Sequence, residues 1–243
     1  MLIFHVGFPK TGTSSVQIAL RDARGALLDC GVDYPLADAD FKQRVLRDLV
    51  VPGRAADAGV RDRLTALRAA RAPEAHHVVL SCEEITGVLS TVPPDVDLST
   101  RIQDLCDWVR QLDDDVRLIA YVREPVAYYA SLMNEWVRMN TPIIPPATFE
   151  CGYRRIIEAL EAVFGTAVTL FAYDRAQLVE GDILADFNRR LSSLLGMDLP
   201  TPPDRGGANS MPSAEAMQAV ALFYAPLAKG GQPVRPPQDF SIG

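Results

Sequence analysis

An apolar run, Leu2-Ile3-Phe4-His5-Val6, passes through Gly7-Phe8-Pro9-Lys10-Thr11-Gly12-Thr13-Ser14-Ser15 directly into a helical pattern carried by Val16, Leu20, Ala23 and Leu27. A strand, a glycine-bearing turn and a helix start, in that order, constrain the fold more than anything else in the chain. The first N–H groups of a helix have no partners within it and carry partial positive charge, so the junction is an anion site. Gly7 and Gly12 permit backbone conformations or close approaches that a side chain would block. Thr13, Ser14 and Ser15 add hydroxyl donors. The loop is built to hold a phosphate.

Three further short apolar runs, residues 78–81, 116–122 and 168–172, read as strands alongside residues 2–7. Helical spacing recurs between them: Ile102, Leu105, Val109 and Leu112 before the third run, then a stretch opened by Pro125 and continuing to Val137. Further helices are expected over 153–164, 183–195 and 214–222. Strands without period-two alternation, separated by helices, predict a three-layer α/β fold around a parallel sheet covered on both faces. Ligands of such sheets sit beyond the carboxyl ends of the strands. The 243 residues suit one α/β domain, placed at 1–228, with an irregular tail over 229–243. Proline-rich stretches at 142–146 and 200–203 read as loops.

The spacing of Gly7, Gly12 and Ser14 matches a Walker loop, but the lysine position holds Thr13 and the lysine stands three residues earlier, at Lys10. In an NTPase the late lysine reaches the β- and γ-phosphates and the next hydroxyl holds Mg²⁺. A lysine inside the loop lies instead beside the first phosphate and the group attached to it. A second cationic feature follows the third strand, where Leu118-Ile119-Ala120-Tyr121-Val122 leads into Arg123-Glu124-Pro125 and a helix bearing Ser131 and Trp136. An arginine there can offer phosphate a planar fork of donors, although an ion pair with Glu124 would also account for it.

These segments resemble the PAPS-dependent sulfotransferases, whose donor is 3′-phosphoadenosine 5′-phosphosulfate. GFPKTGTSS is similar to their 5′-phosphosulfate loop. The arginine, the proline two residues on and the serine eight residues on, here Arg123, Pro125 and Ser131, resemble their 3′-phosphate motif. The resemblance implies a P-loop nucleotide-kinase-like fold. It makes Thr11, Gly12, Thr13 and Ser14 ligands of the 5′-phosphate, and Lys10 the cation that stabilises the leaving group. Arg123 and Ser131 would hold the 3′-phosphate. Phe171-Ala172-Tyr173-Asp174 and Asn209-Ser210-Met211-Pro212-Ser213 resemble two further segments of bacterial carbohydrate sulfotransferases. A glycine-rich C-terminal donor loop has no counterpart in Lys229-Gly230-Gly231.

Transfer to a hydroxyl usually employs a base. Ser81-Cys82-Glu83-Glu84, after the second strand, is similar to a Ser-x-Glu segment whose glutamate is the base in carbohydrate-type relatives. This makes Glu83 the candidate and Glu84 the spare, unless both simply favour the dipole of a short helix. His5 is the rival, as a histidine base or as a packed core residue; Tyr128 and Trp136 are core or cleft aromatics. The implied acceptor is a carbohydrate or glycolipid hydroxyl, and no metal is expected because no aspartate-ended strand of the Walker-B kind is evident. A P-loop kinase or NTPase, and a non-catalytic PAP-binding protein, are the competing readings.

The net charge of −7 argues against general nucleic-acid binding. Arg44, Arg47, Arg54, Arg61, Arg63, Arg68 and Arg71 read as a solvated helix face or as a patch for an anionic acceptor. Cys30, Cys82, Cys106 and Cys151 form no CxxC pair and read as reduced thiols. The start of the chain is not built like a signal peptide, and no apolar run is long enough to span a membrane, so a cytoplasmic, bacterial enzyme is expected. Oligomeric state is left open.

Overall fold

The computed structural model describes residues 1–35, 46–51, 53–139 and 144–201. The expected helix over 214–222, the segment 209–213, the tail 229–243 and Arg44 lie outside them. Two compact units are distinguished, a larger one from Met1–Glu124 and Gly152–Asp204 and a smaller one to which Pro125–Cys151 belongs.

In the larger unit, β1 (Leu2–His5), β2 (Val32–Asp33), β3 (His77–Ser81), β4 (Val116–Val122) and β5 (Val168–Ala172) form one parallel sheet of order β2-β3-β1-β4-β5. Every β1 residue is fully buried, as a central strand covered on both faces requires. The chain moves from β1 leftward to β2 through α1 (Thr13–Asp22) and α2 (Arg24–Asp29). It then moves rightward from β2 to β3 through α3 (Ala58–Ala69), and from β3 across β1 to β4 through α4 (Glu84–Ser90) and α5 (Ser99–Arg110). Right-handed crossovers of opposite direction put α1 and α2 on one face and α4 and α5 on the other. Helix α7 (Tyr153–Phe164) packs with α4 and α5, and α8 (Ile183–Leu195) packs with α1. The fold is therefore the three-layer α/β arrangement.

Three features differ from the sequence reading. The helical pattern after the loop is broken at Ala23 into α1 and α2, which no proline or glycine at the break announced. Strand β5 is half-exposed, with Leu170 37% accessible, because it borders the sheet and pairs with β4 alone among the described residues. Strand β2 has no counterpart among the expected strands. It is two residues long and owes its place to Asp33, a fully buried carboxylate that accepts from Arg24 Nε at 3.1 Å and from Ala72 N at 2.8 Å. Cys30, next to β2, is exposed, whereas Cys82 and Cys106 are buried and burial pushes the Cys82 thiol up to about 12.

In the smaller unit, α6 (Pro125–Arg138) begins at Pro125, where the missing N–H costs nothing. Tyr129, Trp136 and Phe149 pack edge to face or tilted, with centroids 4.9 to 6.2 Å apart. The Tyr129 hydroxyl donates to the Ile144 carbonyl at 2.6 Å. These half-buried aromatics thus form a cluster within their own unit.

Candidate functional site

The loop leaves β1 at the centre of the sheet, where His5 is in register with Ser81 of β3 and Ile119 of β4. Its backbone is contorted. Gly7 has φ 21°, Lys10 φ 67° and Gly12 φ 79°. For a lysine a left-handed conformation costs roughly 1–2 kcal/mol and must be held by its surroundings. Gly12 is the residue that precedes α1, and no side chain caps the helix there. The N–H groups of the first turn, beginning at Thr13, are left to interact with something other than the protein's own side chains, and no acidic residue stands in that turn.

Two glycines are there for space. A Cβ on Gly7 would lie 2.6 Å from Thr13 Oγ1, and one on Gly12 would meet Ile183 at 3.1 Å and Tyr173 at 3.3 Å. The Thr11 hydroxyl is spent on the loop itself, donating to the Phe8 carbonyl at 2.6 Å. Thr11 and Thr13 are buried, Lys10 is half-buried, and Ser14 is exposed. The loop therefore presents backbone donors, one lysine and the Ser14 hydroxyl outward, while its threonines brace it from within.

Arg123, one residue beyond β4, turns toward this loop. Its Nη1 donates to the Lys10 carbonyl at 3.0 Å, and its guanidinium carbon lies 5.4 Å from the centroid of the Tyr173 ring. Cation and ring face at that distance attract. Tyr173 follows β5 and is tied to β4 by its N–H, which donates to the Val122 carbonyl at 2.8 Å. Lys10, Gly12, Arg123 and Tyr173 are thus brought together, and Tyr173 had been singled out in sequence only by resemblance. Ser131 stands in the second turn of α6, in the smaller unit.

Beyond β3, Glu83 starts α4 and is half-buried. Thr86, one turn on, is fully buried; its hydroxyl lies 2.5 Å from the Gly7 carbonyl, 3.1 Å from the Glu83 carbonyl and 3.5 Å from the Val6 carbonyl. A single proton serves best the shortest of these, so Thr86 fastens the start of α4 to the start of the loop. No pattern in the sequence pointed to it. Glu84 is engaged by Arg47, with Nη1 to Oε2 at 3.3 Å.

His5 is fully buried, and burial lowers its pKa to about 3, so the ring is neutral at physiological pH. Nδ1 bonds Ser81 Oγ at 3.0 Å, and Gln17 Nε2 donates to the same hydroxyl at 3.3 Å. Tyr121 and Phe187 pack on the ring. His5 is a core residue beneath the loop. Most of the arginine run serves the protein itself. Arg47 and Arg63 hold Asp48 at 2.9 and 3.2 Å, Arg61 donates to the Ala56 carbonyl, and Arg71 donates to those of Leu112 and Ala75. Among the described residues, no helix is long and apolar enough to cross a membrane.

No protein-family model and no curated protein sequence matches the chain. A solved structure does: a sulfotransferase from Alicyclobacillus acidocaldarius aligns with a TM-score of 0.52 over 92% of this chain and 91% of its own, at 16% identity. The chain shares the fold of that sulfotransferase.

Proposed function

We propose that this chain is a PAPS-dependent sulfotransferase that sulfates a hydroxyl, most naturally one on a carbohydrate or glycolipid. The observation that carries the reading is the uncapped helix start behind a left-handed Lys10, with Arg123 bonded to the same loop. Likeness in fold to a sulfotransferase supports it.

The donor supplies an activated sulfuryl group on a phosphate leaving group. In this reading the N–H groups at the start of α1 and the Ser14 hydroxyl hold the 5′-phosphate. Lys10 sits where negative charge grows as the sulfur–oxygen bond breaks, which is where a cation accelerates rather than merely binds. Arg123 binds the 3′-phosphate, a role that the sequence resemblance also gives to Ser131. Glu83 takes the acceptor proton; Glu84 is less suited because Arg47 neutralises it. His5, fully buried beneath the loop with its pKa lowered by that burial, is poorly suited to take that proton. One sulfuryl group demands less charge neutralisation than a triphosphate, so no metal is required.

The test is calorimetric titration with PAP, without metal, against AMP, ADP and Mg-ATP. PAP binding at least tenfold tighter than the others is expected. Preference for Mg-ATP would instead point to phosphoryl transfer, and equal, weak binding of all four would remove the donor site. Radiolabelled PAPS with a panel of glycan acceptors then separates an enzyme from a non-catalytic PAP-binding protein.

A further inference from the structure

We infer that Arg123 is a positioning residue for Lys10. Its bond to the Lys10 carbonyl maintains the turn that aims the lysine, so the group proposed to read the 3′-phosphate also sets the catalytic cation. The inference rests on the donor reading above for its catalytic consequence, but not for the contact itself.

Among the described residues, Lys10 and Glu180 alone adopt positive φ without being glycine. Glu180 does so in an ordinary exposed turn; Lys10 does so inside the loop that faces the candidate site. A conformation unfavourable for a lysine persists only where neighbours over-determine it. Those neighbours can be named. The Arg123 bond spans 113 positions of sequence. Arg123 is in turn steadied by the Tyr173 ring, and that ring lies against the residue two places beyond Lys10, Gly12. The loop is therefore held at Lys10 by the Arg123 hydrogen bond and lies against the Tyr173 ring at Gly12, and the same guanidinium sits 5.4 Å from the centroid of that ring.

The chemistry needs arginine. A guanidinium offers several donors in a rigid plane, so one can serve the carbonyl while others face an anion. An ammonium is a point charge that would favour the anion and let the carbonyl go. A donor that lacks the 3′-phosphate leaves the guanidinium less restrained, and Lys10 with it. Discrimination between donors then appears in turnover as well as in affinity.

The experiment has a ligand-free arm and a kinetic arm. In the first, amide hydrogen exchange over residues 7–15 is compared in the wild type, Arg123→Lys, Arg123→Gln and Tyr173→Leu, without any nucleotide. Several-fold faster exchange in the loop of all three variants, with the strands unchanged, is expected. Unchanged loop exchange in the two Arg123 variants would overturn the inference, whatever the enzyme does. The second arm is a double-mutant cycle between Arg123→Lys and Lys10→Ala, read as kcat with PAPS and as PAP affinity. Arg123→Lys should lower kcat about tenfold in the wild type and leave kcat unchanged within about twofold when Lys10 is already alanine. Its effect on PAP affinity should be the same in both backgrounds. An equal kcat loss in both backgrounds would show that Arg123 acts on the donor alone. Failure of the wild type to bind PAP would sink the donor reading while the exchange data still decided whether the tie exists.

Discussion

The β1–α1 loop and the β3–α4 turn leave adjacent strands at the same edge of the sheet, and they are made differently. The first is distorted: Lys10 and Gly12 are left-handed, the helix behind them is uncapped, and the threonine hydroxyls are used to brace the turn. The second is regular, with Glu83 already in the helical region at φ −73° and ψ −24°, and its carboxylates arise from an ordinary helix start. Holding an anion by backbone amides requires unusual dihedrals and close approaches, which glycine and outside ties supply. Delivering a carboxylate requires only that a helix begin in the right place. The irregular region should therefore be intolerant of change in geometry, and the regular one sensitive only to the loss of a particular functional group.

Lys10→Ala gives the contrast its largest test. In steady-state kinetics with PAPS it should lower kcat by about a hundred- to a thousandfold, as loss of a transition-state donor does, while calorimetric PAP affinity changes less than about fivefold. Equal losses in both would make Lys10 an anchor. Next comes the pair Glu83→Gln and Glu84→Gln. The first should cost on the order of a hundredfold in kcat, the second less than about threefold, because Arg47 already occupies Glu84. A reversed order would move the base by one residue. Smallest is Thr86→Val, which removes the fastening between the two regions. It leaves the Gly7 carbonyl without that donor and should lower stability by about 1–2 kcal/mol in a denaturant melt. If Thr86→Val also lowers kcat beyond its effect on stability, the two regions are registered through this hydroxyl.

How much of this could be read in the chain itself follows from distance in sequence. Strands β1, β3 and β4 were legible because burial gives each a largely apolar run, and β5 because its sequence is largely apolar although the strand is half-exposed. Helices α7 and α8 were legible for the complementary reason, an apolar stripe at helical spacing with polar residues between. The loop announced itself because its glycines, lysine and hydroxyls are contiguous. Strand β2 left no such trace, since two residues cannot show periodicity and its anchoring partners Arg24 and Ala72 lie on other elements. Thr86 and the Arg123–Lys10 contact were illegible for the same reason: each joins segments roughly 80 or more positions apart, and nothing local in the sequence marks the partner. Core packing of His5 was one of the two readings its place inside a strand allowed. The Ser81–Gln17 network that holds its ring was not legible.

Cys30 closes α2 and is exposed, while Cys82 is buried with its thiol pushed up to about 12. Helices of a parallel sheet run against the strands, so the end of α2 lies at the edge opposite the loop; accordingly the next residue, Gly31, accepts from His76 and His77 where β3 is entered. A maleimide dye or a surface linker attached at Cys30 would then sit on the far side of the sheet from Lys10. Immobilised through that thiol, the protein would present the β1–α1 loop away from the support.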